Sequence, residues 1–215
     1  MPDPFKLIIL PATKAGMTRA ELQDYLEYSH GPLVMKHPDV SGRFTEYVHH
    51  YIESTSGLHA GHDAVTIIGF ASASDLTEST ATENYRVHVG PDENNFRDEE
   101  ASRAYSGVTR MIRDGPPDTS RKLLIFRRLR DGRDASTEWE NHVSKILSGG
   151  AFGVTRVAVN RLSPLGGPPD FDILEEIGLS NTSDIAAIEA ALEATPAGFR
   201  SGSSVALITR PRCFV

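Results

Sequence analysis

The chain has 215 residues, 39% of them hydrophobic and 24% charged, with a formal net charge of -7. That balance excludes nucleic acid as a partner, because no basic stripe exists to neutralise phosphates, and no apolar run is long enough to span a bilayer. Cys213 is the single cysteine, which leaves no disulfide framework and no thiolate metal cluster, and makes a cytoplasmic address the default.

The N-terminal Met1-Pro2-Asp3-Pro4 does not read as a secretory leader, having no basic start and no apolar core. Residues 5–11 form an apolar run of strand length. Beyond the Gly16 loop, Thr18 and Glu21 make a capping box and Met17 can staple onto Leu22, so a helix starts there. Leu22, Tyr25, Leu26 and Ser29 give it a narrow stripe at helical spacing. It is expected to stop at His30-Gly31-Pro32, with Gly31 in the left-handed conformation and Pro32 unable to continue the ladder. Residues 43–53 alternate and are rich in aromatic and β-branched types, and residues 63–71 read as the next strand. A second helix capped by Ser74 or Asp75 frays before Gly90-Pro91; a last strand spans 105–113, and Gly115-Pro116-Pro117 links onward.

The order then repeats: strand 121–129, helix 136–148, strands 152–162 and 171–179, helix 184–194, strand 203–210. Two blocks recur with matching spacing. Lys6-Leu7-Ile8-Ile9-Leu10 returns as Lys122-Leu123-Leu124-Ile125-Phe126, and Asp63-x4-Ile68-Gly69-Phe70 returns as Asp172-x4-Ile177-Gly178-Leu179. The expected architecture is α+β: tandem ferredoxin-like βαββαβ repeats over 1–116 and 117–215, whose antiparallel sheets combine into an α/β-barrel.

The copies differ in chemistry. Of eight histidines, only His142 belongs to the second. His30 lies four residues after Leu26, hence toward the sheet, at an expected helix C-terminus that favours imidazolium. It suits a general acid or base, against the plainer role of capping a carbonyl. His49 and His50 point to opposite faces of one strand. Tyr47, His49 and Tyr51 form a polar row suited to a pocket wall, while His50 sits among Val48 and Ile52 as a core residue or lone base; the choice between the two histidines stays open. Tyr47 is a candidate proton donor or anchor, and Tyr25 a candidate substrate contact. Asp63 could hold a substrate hydroxyl, although Asp172 at the matching place favours a structural role. His88 lies in a polar segment that could fold as a lid. His59-x2-His62 in a Gly-rich loop lacks a third ligand at fixed spacing, so no metal is expected. His142, three residues after Trp139, reads as a core histidine.

Leu22-x2-Tyr25-x4-His30-Gly31-Pro32, together with Phe96-Arg97-Asp98-Glu99, resembles the EthD-like group of the dimeric α/β-barrel superfamily. The resemblance covers the first half; in the second, Ser148-Gly149 stands where His30-Gly31 stands. It implies a pocket between the helices and sheet of one unit. It also implies a range of activities, from polyketide cyclases, dehydratases and decarboxylases to cofactor-free oxygenases and haem-dependent members. In the last, a helix histidine of the second repeat holds the haem, which here would be His142. The expectation is a cofactor-independent lyase or cyclase acting on an apolar, aromatic or polyketide-like small molecule. His30 and a strand histidine, His49 or His50, would shuttle the proton, Tyr47 would place an oxygen, and Tyr25, Tyr51, Asp63 and His88 would contact substrate. The other readings are a non-catalytic protein that binds an apolar metabolite, and an oxygenase with or without haem. One chain can complete the barrel, or two can pair through an exposed strand edge as a homodimer.

Overall fold

The structure is a computed structural model that describes residues 5–57, 62–116, 120–129, 135–149, 151–166, 170–194 and 204–215. Eight antiparallel strands close into a barrel in the order β1-β3-β2-β8-β5-β7-β6-β4. The first half supplies β1 (Phe5–Thr13), β2 (Phe44–Gly57), β3 (Ala64–Phe70) and β4 (Arg97–Arg113). The second supplies β5 (Arg121–Arg127), β6 (Val154–Pro164), β7 (Ile173–Leu179) and β8 (Ser204–Cys213). Each half is a βαββαβ unit, and the units join where β2 pairs β8 and β4 pairs β6. Among the described residues every strand therefore has two neighbours, so the barrel leaves no open sheet edge there for a second chain to pair with. Among the described residues no helix is long and apolar enough to cross a membrane.

Strand alternation divides the side chains into two sets. One set fills the barrel: Ile8, Leu10, Val65, Ile67, Tyr105, Leu124, Phe126, Leu174 and Leu207 form one buried cluster drawn from both halves. The other set faces outward beneath the helices. In the second half, α6 (Ala135–Leu147) and α7 (Ile185–Glu193) lay Trp139, Val143, Leu147, Ile188 and Leu192 on Leu123, Val157 and Ile177.

Charge also lies inside the barrel. Lys6 Nζ donates to Glu176 Oε1 at 2.7 Å and pairs with Glu46 at 2.9 Å. Asn160 donates to Glu176 at 2.8 Å, and Thr109 donates to Asn160 at 2.6 Å. Burial opposes the charge on Lys6, but Glu176 and Glu46 outweigh it and raise the lysine above its ordinary value. His50 belongs to this interior set. It is fully buried, its Nδ1 lies 3.3 Å from Thr209 Oγ1, and burial holds it well below the ordinary imidazole range.

The first half departs from expectation at its helices. The Thr18 capping box is present, and α1 (Arg19–Tyr25) begins there. It does not stop at His30-Gly31-Pro32: a π-helical turn (Leu26–His30) carries it into α2 (Gly31–Met35). Gly31 is right-handed at φ -57, ψ -50, not left-handed, and its N–H donates to Leu26 O. Pro32 has no N–H to donate and its ring would strike a carbonyl one turn back; the wider turn ahead of it absorbs both faults. After α3 (Pro38–Ser41), the second helix, α4 (Ala73–Thr80), is capped by Ser72 rather than by Ser74 or Asp75. A second π turn (Tyr85–Val89) leads into α5 (Gly90–Asp92), again directly before a Gly-Pro pair. The last strand begins at Arg97, well ahead of the expected residue 105.

Gly31 is required by packing rather than by its dihedral angles. A Cβ there would meet the Phe214 ring at 2.3 Å and Leu26 O at 2.9 Å. Alanine normally stabilises a helix over glycine by about 1 kcal/mol. Here Gly31→Ala is expected to destabilise by about 1–3 kcal/mol through overpacking, with the ring clash relieved in the Gly31→Ala/Phe214→Ala pair. Urea unfolding of the variants checks this, and a stabilised Gly31→Ala protein would show that the contact with Phe214 is not made.

Candidate active site

Between α1–α5 and the outer face of β1, β2 and β3 lies a mostly apolar cavity of about 60 Å³. Its walls include Leu7, Ile9, Leu26, Val34, Ile68 and Phe96, with His30, Tyr47, Thr66, Tyr85, Glu93 and Arg97 as polar members. An apolar cavity that takes up benzene has about 150 Å³, so this cavity as it stands is smaller than a ring-sized substrate needs.

The first π turn supplies His30, and α5, which the second π turn leads into, supplies Asp92. His30 Nδ1 lies 2.9 Å from Asp92 Oδ2. Tyr25 Oη donates to Asp92 Oδ1 at 2.6 Å, and Asn95 Nδ2 donates to the same oxygen at 3.0 Å. The bond to His30, with help from Tyr25 and Asn95, holds Asp92 below the usual carboxylate range against the opposing effect of burial. With Nδ1 bonded to a carboxylate, the neutral ring carries its proton there, and Nε2 keeps a lone pair for the cavity. His30 also packs on Phe96, with ring centroids 4.8 Å apart.

The row Tyr47, His49, Tyr51 does face the helices. Tyr47 lines the cavity and is fully buried, and burial raises its hydroxyl far above the ordinary phenol value. His49 sits behind the wall: its Nδ1 is 2.9 Å from Thr66 Oγ1, and its ring centroid is 6.4 Å from that of His30. Burial, and secondarily His30, push it down to about 3, so it is neutral in the working range and a poor base. His50 points into the barrel and does not reach this cavity. Tyr51 packs under Arg210 at 5.1 Å, outside the lining.

Other expected contacts are elsewhere. Tyr25 lies in an outer groove with Lys14, Met17 and Tyr28 and reaches the site through Asp92. Asp63 ties the end of β1 to the start of α1, accepting from Thr13 Oγ1 at 2.5 Å and Arg19 Nε at 2.8 Å. Asp172 accepts from Leu129 N at 2.7 Å, the place matching Thr13, which gives both aspartates the same structural task. His88 is exposed and stacks on His37 at 5.2 Å, away from the cavity. His59 lies outside the described residues. Among those described, no group of three His, Cys, Asp or Glu is placed to hold a metal ion.

Asp92, Glu93, Asn95 and Arg97 are site residues that sequence reasoning missed. The signal was present in Gly90-Pro91, which repeats the local pattern of Gly31-Pro32 and carries Asp92 immediately after it.

Haem does not fit the second half. His142 has a buried Nε2 without a partner and lies against Trp139 at 5.2 Å. The layer it would need is filled by the aliphatic cluster of α6, α7 and the sheet. It is also plugged by Glu175, which accepts from Arg127 Nε at 2.8 Å and from Trp139 Nε1.

Comparison with known proteins agrees with this fold. Residues 14–100 carry an EthD domain. A candidate monooxygenase from Lactobacillus acidophilus NCFM shares the fold at TM-score 0.60 and 11% identity, over 98% of this chain and 95% of that one. An anthrone oxidase-like protein does so at TM-score 0.53 and 12% identity, over 99% and 94%. Chlorite dismutase from Candidatus Nitrospira defluvii, in complex with imidazole, does so at 0.56 and 10%, over 96% and 91%. The first half is thus an EthD domain within a dimeric α/β-barrel fold. No curated protein matches the sequence. These relatives overturn the expected lyase or cyclase activity: the three are described as monooxygenase, oxidase-like and dismutase, none as a dehydratase, cyclase or decarboxylase.

Because Asp92 is depressed in the folded state, its contribution to stability is present above about pH 4, the ordinary aspartate value, and is lost as pH falls through the lower folded value. Asp92→Asn is expected to flatten the acid limb of stability against pH. Urea unfolding between neutral pH and about pH 3 measures it, and an unaltered acid slope would show that the carboxylate is not coupled to folding.

Proposed function

We propose that this protein is a cofactor-independent oxygenase that oxidises an activated C–H of an apolar, aromatic small molecule. The observation that carries the reading is the His30–Asp92 pair opening onto an apolar cavity. His30 Nε2 takes a proton from a carbon or hydroxyl whose anion is delocalised; Asp92 keeps the ring oriented and faces the imidazolium that forms. The electron-rich anion then reduces dioxygen directly. A methylene flanked by aryl groups and one dioxygen molecule give a diaryl ketone and one water. One oxygen atom is retained as the carbonyl, the other leaves as water with both methylene hydrogens, and no outside reductant is needed. Apolar walls keep water from reprotonating the anion before oxygen reacts. The fold shared with monooxygenase-like and anthrone oxidase-like proteins supports this choice over proton transfer alone.

The test is oxygen uptake with anthrone-type methylene compounds, followed by mass spectrometry under labelled dioxygen. One labelled atom should enter the product, and His30→Ala should slow turnover by about 10²–10⁴-fold. Product formed at the full rate without oxygen would end the oxygenase reading, and an unimpaired His30→Ala enzyme would remove His30 from the base role.

A further inference from the structure

The His30–Asp92 pair leaves a second charged lining residue, Arg97, without a role. Arg97 is the first residue of β4 and lines the cavity. Its Nη2 lies 2.5 Å from Glu93 Oε2. Glu93 Oε1 in turn accepts from Tyr85 Oη at 3.2 Å, so the guanidinium is held from one end by a residue that is itself anchored. Its Nε is buried and has no partner. A buried guanidinium N–H left unsatisfied costs about 1–3 kcal/mol or more, a cost sustained where a ligand acceptor completes the bond. Glu93 balances the cation, so Arg97 can line a cavity whose other walls include Leu26, Val34 and Phe96.

We propose that Arg97 Nε is the oxyanion donor of this cavity, and that the substrate class is accordingly a phenol or enolisable ketone whose oxygen becomes anionic when His30 removes the proton. This rests on the proposed base role of His30 and adds the group that decides which acids the site can ionise. A substrate lacking an oxygen conjugated to the reacting carbon would leave the Arg97 N–H unpaired and bind worse. Arg97 touches the substrate in this scheme, whereas Glu93 and Tyr85 position it.

The probe is 4-nitrophenol, whose phenolate is coloured and which does not react with oxygen. In the wild-type protein its bound form should ionise at lower pH than free 4-nitrophenol, read by absorbance across a pH titration. Arg97→Gln should raise the apparent pKa of the bound probe by about one unit or more, a tenfold loss of bound phenolate at fixed pH. Because that variant strands Glu93, Glu93→Gln/Arg97→Gln serves as a charge-balanced control, and Arg97→Lys keeps the charge while deleting Nε–H. All three should show the shift if the Nε donor is responsible. An unshifted pKa in all three, or failure of the wild-type protein to bind the probe, overturns the assignment of Arg97. If the probe ionises and shifts as stated but oxygen uptake is absent with every anthrone-type compound, the oxyanion site stands and the oxygenase reading falls.

Discussion

A proline inside a helix removes one backbone donor and pushes its ring at the turn behind it. The site depends on how two helices absorb that fault. Pro32 and Pro91 each follow a π turn, and each π turn adds one residue to the helical path. One extra residue rotates everything beyond it by roughly 100° about the helix axis. His30 closes the first π turn and Asp92 lies just past the second, and the two meet although their segments share no sheet and lie 62 residues apart in the chain. Phe214, which follows strand β8 of the other half, then closes against Gly31, where a side chain of any size would collide. His30, Asp92 and the aromatic cover thus all sit at the two π-turned Gly-Pro segments.

The two halves share a backbone plan but have different layers between helices and sheet. Thr66 of the first half, which lines the cavity, matches Glu175 of the second, and Pro11 matches Arg127. In the second half that pair forms a buried ion pair against Trp139 and fills the space that is open in the first. A buried ion pair adds little stability over apolar packing, while losing one partner costs about 3–5 kcal/mol, so the plug persists once made. The barrel interior binds the halves together by the same logic, since Lys6 of the first half is neutralised by Glu176 of the second.

Much of this was legible in sequence because it rests on short-range rules. The repeated Lys6 and Asp63 blocks, the Thr18 capping box and the alternation of residues 47–52 each report a local period, and each is found in its expected place. The tandem barrel followed, since a ferredoxin-like sheet with one bare face needs another to cover it. Gly31-Pro32 was misread as a helix stop because its dipeptide signal is the same for a terminator and for a π-turned continuation. Asp92 was hidden for a related reason, lying in a polar, acidic run that reads as solvated surface. His50 and His49 could not be ranked from alternation alone, because period two separates faces without saying which faces the helices. The activity lay beyond the sequence altogether: the same histidine and apolar walls serve proton transfer and oxygen chemistry alike.

What separates those chemistries is the charge that appears during the reaction. In the proposed reaction His30 takes a proton and its ring becomes a cation facing Asp92, whose carboxyl is held low by His30 itself and then by Tyr25 and Asn95. A second imidazolium nearby would oppose that step. Burial keeps His49 neutral, at about 3, so its ring 6.4 Å away adds no opposing charge. In the proposed reaction the substrate anion meets mostly apolar walls and the Arg97 guanidinium. An anion that cannot be quickly reprotonated and has no leaving group to expel loses its energy most readily by giving an electron to a small neutral oxidant.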